Sequence, residues 1–182
     1  MKSIFTIHAG EYLVGSEIES KLRDFNVWLP SKDTGIDLLV TNQANSKTAT
    51  LQVKYSKDFS TTLVKQVFRS DIKGAGWWAL KRNKIATSNA DFWVFILNNL
   101  EKKNCDFVII KPSELLQIFD HTNRSNNIIH CYIWVTNHDT VFETRGLSNN
   151  EMQLICKNNF THVNRDLQRF LNNWNPIIKK LT

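Results

Sequence analysis

Residues 35–40, GIDLLV, and residues 50–57, TLQVKYSK, decide how this chain is read. Each is a run of strand-forming apolar residues carrying polar groups that a buried strand does not need: Asp37 in the first, Gln52 and Lys54 in the second. The intervening NQANSK is turn material, so the two runs predict a β-hairpin. The midpoint between Asp37 and Gln52 falls between Ala44 and Asn45, so a turn centred there sets these two residues opposite each other. The two-residue period then puts Gln52 and Lys54 on one face and Val53 and Tyr55 on the other. Charges at the edge of an apolar sheet are costly, so these groups either satisfy one another or hold something.

A hard divalent cation suits them. Asp37 offers a carboxylate oxygen, Gln52 an amide oxygen and Val53 a backbone carbonyl; Mg²⁺ takes oxygen ligands and keeps several waters, and Mn²⁺ accepts the same donors. Lys54, beside such an ion, is placed to orient a water or steady a phosphoryl oxygen. Glu11, on the inward stripe of the first helix, is the fourth member. Each residue also has a plainer reading. Asp37 and Lys54 can form a structural ion pair, and Glu11 can complement the helix dipole. Their joint placement favours the site, with Glu17 and Asp33 as weaker alternatives to Glu11.

Around the hairpin, Val14, Ile18 and Leu22 recur at helical spacing within residues 10–24, and NVWLP reads as a short strand. Ser60, Thr61 or Thr62 caps a second predicted helix, carrying Val64, Val67, Phe68 and Ile72 and ending near Gly74 and Gly76. DFWVFIL and DFVIIKP read as central strands, Pro112 and Ser113 open a helix through Phe119, and Ile128 to Val135 is a further strand. In the tail, Ser148 and Glu151 form a capping box, and Leu167, Phe170, Leu171, Trp174 and Ile178 make a helical stripe that Pro176 kinks. The order predicts one α/β domain over 1–182, a mixed β-sheet flanked by helices. Its core spans about 9–119, and a C-terminal strand and helical extension span about 128–182.

The segment from Lys65 to Lys84 holds Lys65, Arg69, Lys73, Lys81, Arg82 and Lys84 against one acid, Asp71, with Trp77 and Trp78 inside it. Such interleaving suits phosphate contacts with stacking on a base, and nominates Lys73, Trp77, Lys81, Arg82 and Lys84, with Lys57 beyond the hairpin. A solvated helix face over buried tryptophans is the alternative. A net charge of +6 in 182 residues is compatible with a polyanionic partner. Cys105, Cys131 and Cys156 lack C-x-x-C spacing, and the five histidines lack zinc spacing, so neither a disulfide framework nor a zinc site is expected. The N-terminal stretch has no apolar signal region, and the longest uncharged apolar run, Phe92 to Leu97, is far too short for a membrane helix. A cytoplasmic protein with no membrane partner is expected.

GEYLVGSEIESKL, KDTGIDLLV, LQVKYS, DFWVFIL and DFVIIKPSEL, taken in order, resemble the PD-(D/E)XK nuclease superfamily, the restriction-endonuclease-like and Holliday-junction-resolvase-like fold. The resemblance covers about two-thirds of the chain, residues 9 to 119. It implies a mixed sheet flanked by helices and Mg²⁺-dependent hydrolysis of DNA phosphodiester bonds. In its terms the metal-binding acid is Asp37, the (D/E)-x-K pair is Gln52 with Lys54, and the helix glutamate is Glu11. Ile36 stands where the family motif has proline, and Gln52 where it has an acid, which removes one negative charge from the metal site. The expected activity is that of an endonuclease, with the C-terminal helices serving substrate recognition or a homodimer contact. Two rivals remain: a nucleic-acid-binding module whose site Gln52 has silenced, and a partner subunit whose tail exposes an apolar face.

Overall fold

The structure is a computed structural model that describes residues 8–32, 34–56, 64–99, 104–122 and 125–182. Helix α1 (Ala9–Lys21) and strand β1 (Phe25–Trp28) lead into the predicted hairpin, β2 (Leu38–Asn42) and β3 (Thr48–Tyr55). The turn is built by its asparagines. Asn45 adopts a left-handed φ of 54°, and the Asn42 side-chain oxygen accepts the N–H groups of Ser46 at 2.9 Å and Lys47 at 3.2 Å. Leu38 pairs with Leu51 and Thr41 with Thr48, so the register is the predicted one.

Two sheets organise the chain. The first has the order β1-β2-β3-β5-β6, with β5 (Phe92–Asn99) parallel to β3 and antiparallel to β6 (Asn104–Ile110). The second joins β4 (Ile72–Lys81), β7 (Ile128–Thr136) and β8 (Val141–Glu143), all antiparallel. Trp93, Phe95 and Leu97 of β5 meet Trp78, Leu80, Ile129 and Ile133 of the second sheet in one buried cluster, where Trp78 sits edge-on to Phe95 at 4.9 Å. On the other face of the first sheet, Val14 and Ile18 of α1 pack with Val40, Leu51, Val94 and Ile96. The fold is therefore the predicted α/β class, a mixed sheet flanked by helices and ending in a C-terminal helix, with a second sheet that the sequence did not announce. Helices α2 (Arg82–Ala86) and α3 (Pro112–His121) follow β4 and β6. Among the described residues, no helix is long and apolar enough to cross a membrane.

Three expectations need correction. The predicted helix after Ser60 to Thr62, which lie outside the described residues, is a short 3₁₀ turn (Gln66–Asp71) followed by β4. Val67, on its supposed apolar stripe, is 70% exposed. Gly74 and Gly76 do not end a helix; they lie inside β4. A Cβ at position 74 would stand 3.5 Å from the Asn98 carbonyl, and at position 76 the Trp78 ring of the same strand leaves no room for a side chain.

The second correction concerns β6, which is an edge strand rather than a central one, covered by the C-terminal run. Leu171 bridges Val108, the Phe107 N–H donates to Asn172 Oδ1 at 2.8 Å, and the Asn172 N–H donates to the Phe107 carbonyl at 2.6 Å. Those bonds explain the third correction. The stripe from Leu167 to Ile178 is not one helix but a 3₁₀ turn (Gln168–Phe170), a left-handed Asn172 at φ 50°, and α5 (Asn175–Leu181). Pro176 opens α5 instead of kinking a longer helix, as its missing N–H favours. Trp174, Ile177 and Leu181 are buried in the chain's own core, so the stripe does not offer the apolar face that a dimer or partner contact requires. The capping box is as predicted: α4 (Asn149–Cys156) starts with Ser148 Oγ accepting the Glu151 N–H at 3.3 Å, and Glu151 Oε2 accepting the Ser148 N–H at 2.7 Å.

Candidate active-site cleft

Strand β3 outruns β2. The hairpin ladder stops at Leu38, while Gln52 to Tyr55 continue to pair with Trp93 to Ile96 of β5. Asp37 occupies the vacated edge. Its N–H donates to the Leu51 carbonyl at 2.8 Å, and its Oδ2 accepts the Val53 N–H at 2.8 Å, so the carboxylate continues the ladder where backbone has run out. The predicted neighbour relation to Gln52 is thus realised through the backbone of Val53. A residue's N–H and carbonyl leave a strand on the same edge, which places the Val53 carbonyl on the Asp37 side as well.

Gln52 and Lys54 share the face turned toward the second sheet, as the period predicts. They line a cleft of about 810 Å³ with Gly35, Trp93, Lys81 and Lys84. Lys54 Nζ lies 4.4 Å from the centre of the Trp93 ring, a cation–π contact at the cleft wall. That ring is held in turn, since Trp93 Nε1 donates to Ser88 Oγ at 2.9 Å. Gly35 has φ +82°, a left-handed turn just before Asp37 that a side chain would strain.

Glu11 is 5% exposed, and its Oε2 accepts the His8 N–H at 3.2 Å, so this first-turn acid caps the start of α1. The same turn abuts β3. A Cβ on Gly10 would stand 2.9 Å from Tyr55 Cβ and 3.1 Å from Val53 Cγ1. The start of α1 therefore meets β3 on the Val53–Tyr55 face, across the strand from the side chains of Gln52 and Lys54.

Among the described residues, no group of three or more His, Cys, Asp or Glu is placed to hold a metal ion. The donors nominated from sequence are two carboxylates, Asp37 and Glu11, with the neutral oxygens of Gln52 and Val53. An all-oxygen set of low charge suits a hydrated Mg²⁺ or Mn²⁺ and not zinc.

The nominated cations separate. Lys81 and Lys84 reach the cleft, and Lys57 and Asp33 lie outside the described residues. Lys73 is held by Asp106, at 3.0 Å, and Asp139. Arg82 pairs with Asp120 and joins α2 to α3. Trp77 faces the outer side of the second sheet, stacked on His130. Sequence reasoning missed Trp93 and the Thr87–Asn89 loop that complete the cleft. The alternation of Trp93, Phe95 and Leu97 carried the signal for the first; nothing local marked the loop. No family model, no curated protein and no solved structure matches this chain.

Proposed function

We propose that this protein is a metal-dependent endonuclease of the PD-(D/E)XK type that hydrolyses DNA phosphodiester bonds. One observation carries the reading: the Asp37 carboxylate is tied to the Val53 amide at the centre of a Gln-Val-Lys triplet whose outer members open into a lysine-lined cleft. Asp37, Glu11, the Gln52 amide oxygen and the Val53 carbonyl are the residues that would hold Mg²⁺ or Mn²⁺ at the edge of β3 that Asp37 occupies, Glu11 coming from the α1 face and Gln52 from the cleft face. Bound there, the ion supplies Lewis-acid stabilisation of charge on a phosphoryl oxygen. Lys54 orients a water or steadies the scissile phosphate, with Trp93 limiting the arc of its ammonium. Lys81 and Lys84 take flanking phosphates. The three cysteines are free, which accords with a cytoplasmic setting. A homodimer would bring two clefts to a duplex, through a contact other than the buried C-terminal stripe.

A binding module without catalysis is the second reading. It is favoured by Gln52 in place of an acid, because the site then has less negative charge with which to draw a cation. The two separate on incubation of wild type and Lys54→Ala with supercoiled and linear DNA, under Mg²⁺, Mn²⁺ or excess chelator. Metal-dependent nicking that the variant loses is the expected result. Salt-sensitive binding with no cutting by the wild type under either metal overturns the endonuclease in favour of the module.

A further inference from the structure

Strand β4 carries a second surface that the cleft does not absorb. Its outward residues Trp77, Ala79 and Lys81 stand opposite Tyr132, His130 and Ile128 of β7. On the same face, among the described residues, Phe68 and Ile155 cover the far half, over Ala75, Trp134 and Phe142. In the near half Ala79, Lys81 and His130 are exposed and Ile128 is 53% exposed, while Trp77 and Tyr132 are half-buried. The rings of Trp77 and His130 lie parallel, 5.7 Å apart between centroids and 5° between planes, with Tyr132 6.2 Å from Trp77. Arg145 places its guanidinium 5.3 Å from the Tyr132 ring centre. Lys81 belongs to both this face and the cleft.

We infer that this open face is a track for single-stranded DNA leaving the cleft, so that the substrate carries an unpaired flank; the inference rests on the cleft being a DNA site. The chemistry of the face selects this occupant. A duplex hides its base faces inside its own stack and gains nothing from an aromatic platform, whereas a single strand exposes them to rings and guanidinium planes. Lys81 at the cleft end and Arg145 beyond Tyr132 offer positive charge to the backbone; among the described residues the three paired rows hold no carboxylate, and the Glu143 carboxylate beside Tyr132 is buried and paired with Arg165. A cross-strand ladder that served stability alone would account for Trp77 against Tyr132. It does not call for an exposed His130 laid flat on Trp77, or for cations at both ends.

The test is fluorescence anisotropy of a labelled single strand of roughly 15 nucleotides, a length within the usual range of single-strand sites, against a duplex of equal length, in chelator so that cutting plays no part. His130→Ala and Tyr132→Ala are each expected to weaken single-strand binding about tenfold and to leave duplex binding within about twofold. His130→Phe, which keeps a ring but removes the imidazole, is expected to bind as wild type. Unchanged single-strand affinity in both alanine variants, or equal losses on both DNA forms with the melting temperature preserved, overturns the track. Metal-dependent duplex cutting with no single-strand effect sinks the track alone. A single-strand effect without cutting upholds the track and sinks the endonuclease. Failure of wild type to bind either DNA sinks both.

Discussion

Lys54 and Lys73 are both strand lysines that the sequence marks for work on phosphate, and the fold sets them in opposite surroundings. Lys54 lies over Trp93 on the wall of the cleft. Lys73 is a pin with 12% of its side chain exposed. It reaches from β4 to Asp106 of β6 and to Asp139, while Asp106 also accepts from Asn172 Nδ2 at 2.8 Å. Burial alone would pull the Lys73 pKa down; hydrogen bonds to Asp139 and Asp106, and their charges, more than reverse this and leave it raised. The contrast teaches that an ammonium's role is set by what the tertiary structure packs around it. One of these lysines joins two sheets and the C-terminal run, and the other faces a space that can admit a phosphate.

The sharpest way to break the comparison is kinetic. Lys54→Ala is expected to slow single-turnover cleavage by about a thousandfold, in the range of losing one charge-stabilising group, while Lys73→Ala stays within about twofold in the molecules that remain folded. Equal rates for wild type and Lys54→Ala would remove the catalytic half of the contrast. Next in size is stability. Asp106→Ala removes a buried acid from the half-buried Lys73 and the acceptor from Asn172, and is expected to cost about 3 kcal/mol in urea unfolding. Asp37→Asn keeps an oxygen for the Val53 N–H, so it should cost less than about 1 kcal/mol and yet abolish cutting.

Gln52→Glu sharpens the cleft side. An added carboxylate should tighten metal binding by about tenfold, read from a Mn²⁺ titration of cleavage, because ligand charge sets affinity for hard cations. No change would mean that Gln52 does not face the ion. The smallest effect is the pH dependence of the pin. A lysine whose pKa is raised by folding contributes stability in full below its unfolded value, about 10.4, and loses that contribution as pH climbs through the folded value. Urea midpoints measured upward from about pH 9 should fall less steeply for Lys73→Met than for wild type.

Much of the site is legible in the residues themselves. The hairpin, its register and the common face of Gln52 and Lys54 follow from period-two patterning around an asparagine-rich turn, and the buried stripe of Glu11 from helical spacing. Strand β4 is not legible in that way. Val64, Val67, Phe68 and Ile72 imitate a helix face, and Gly74 and Gly76 imitate its stop, because local spacing carries no record of a second sheet approaching within contact of the first. The C-terminal stripe misleads for a related reason: its backbone bonds go to β6, more than sixty residues away in sequence.

The sequence by itself determined the α/β class, the hairpin and the three polar residues that interrupt it, since those depend on neighbours a few residues apart. Only the tertiary structure decided that Asp37 closes the open edge of β3 through Val53, that Lys81 and Lys84 join Lys54 in one cleft, and that Lys73 does not. Each of those outcomes depends on which distant strand supplies the next hydrogen-bond partner or charge, and such long-range pairing leaves no local pattern in the chain.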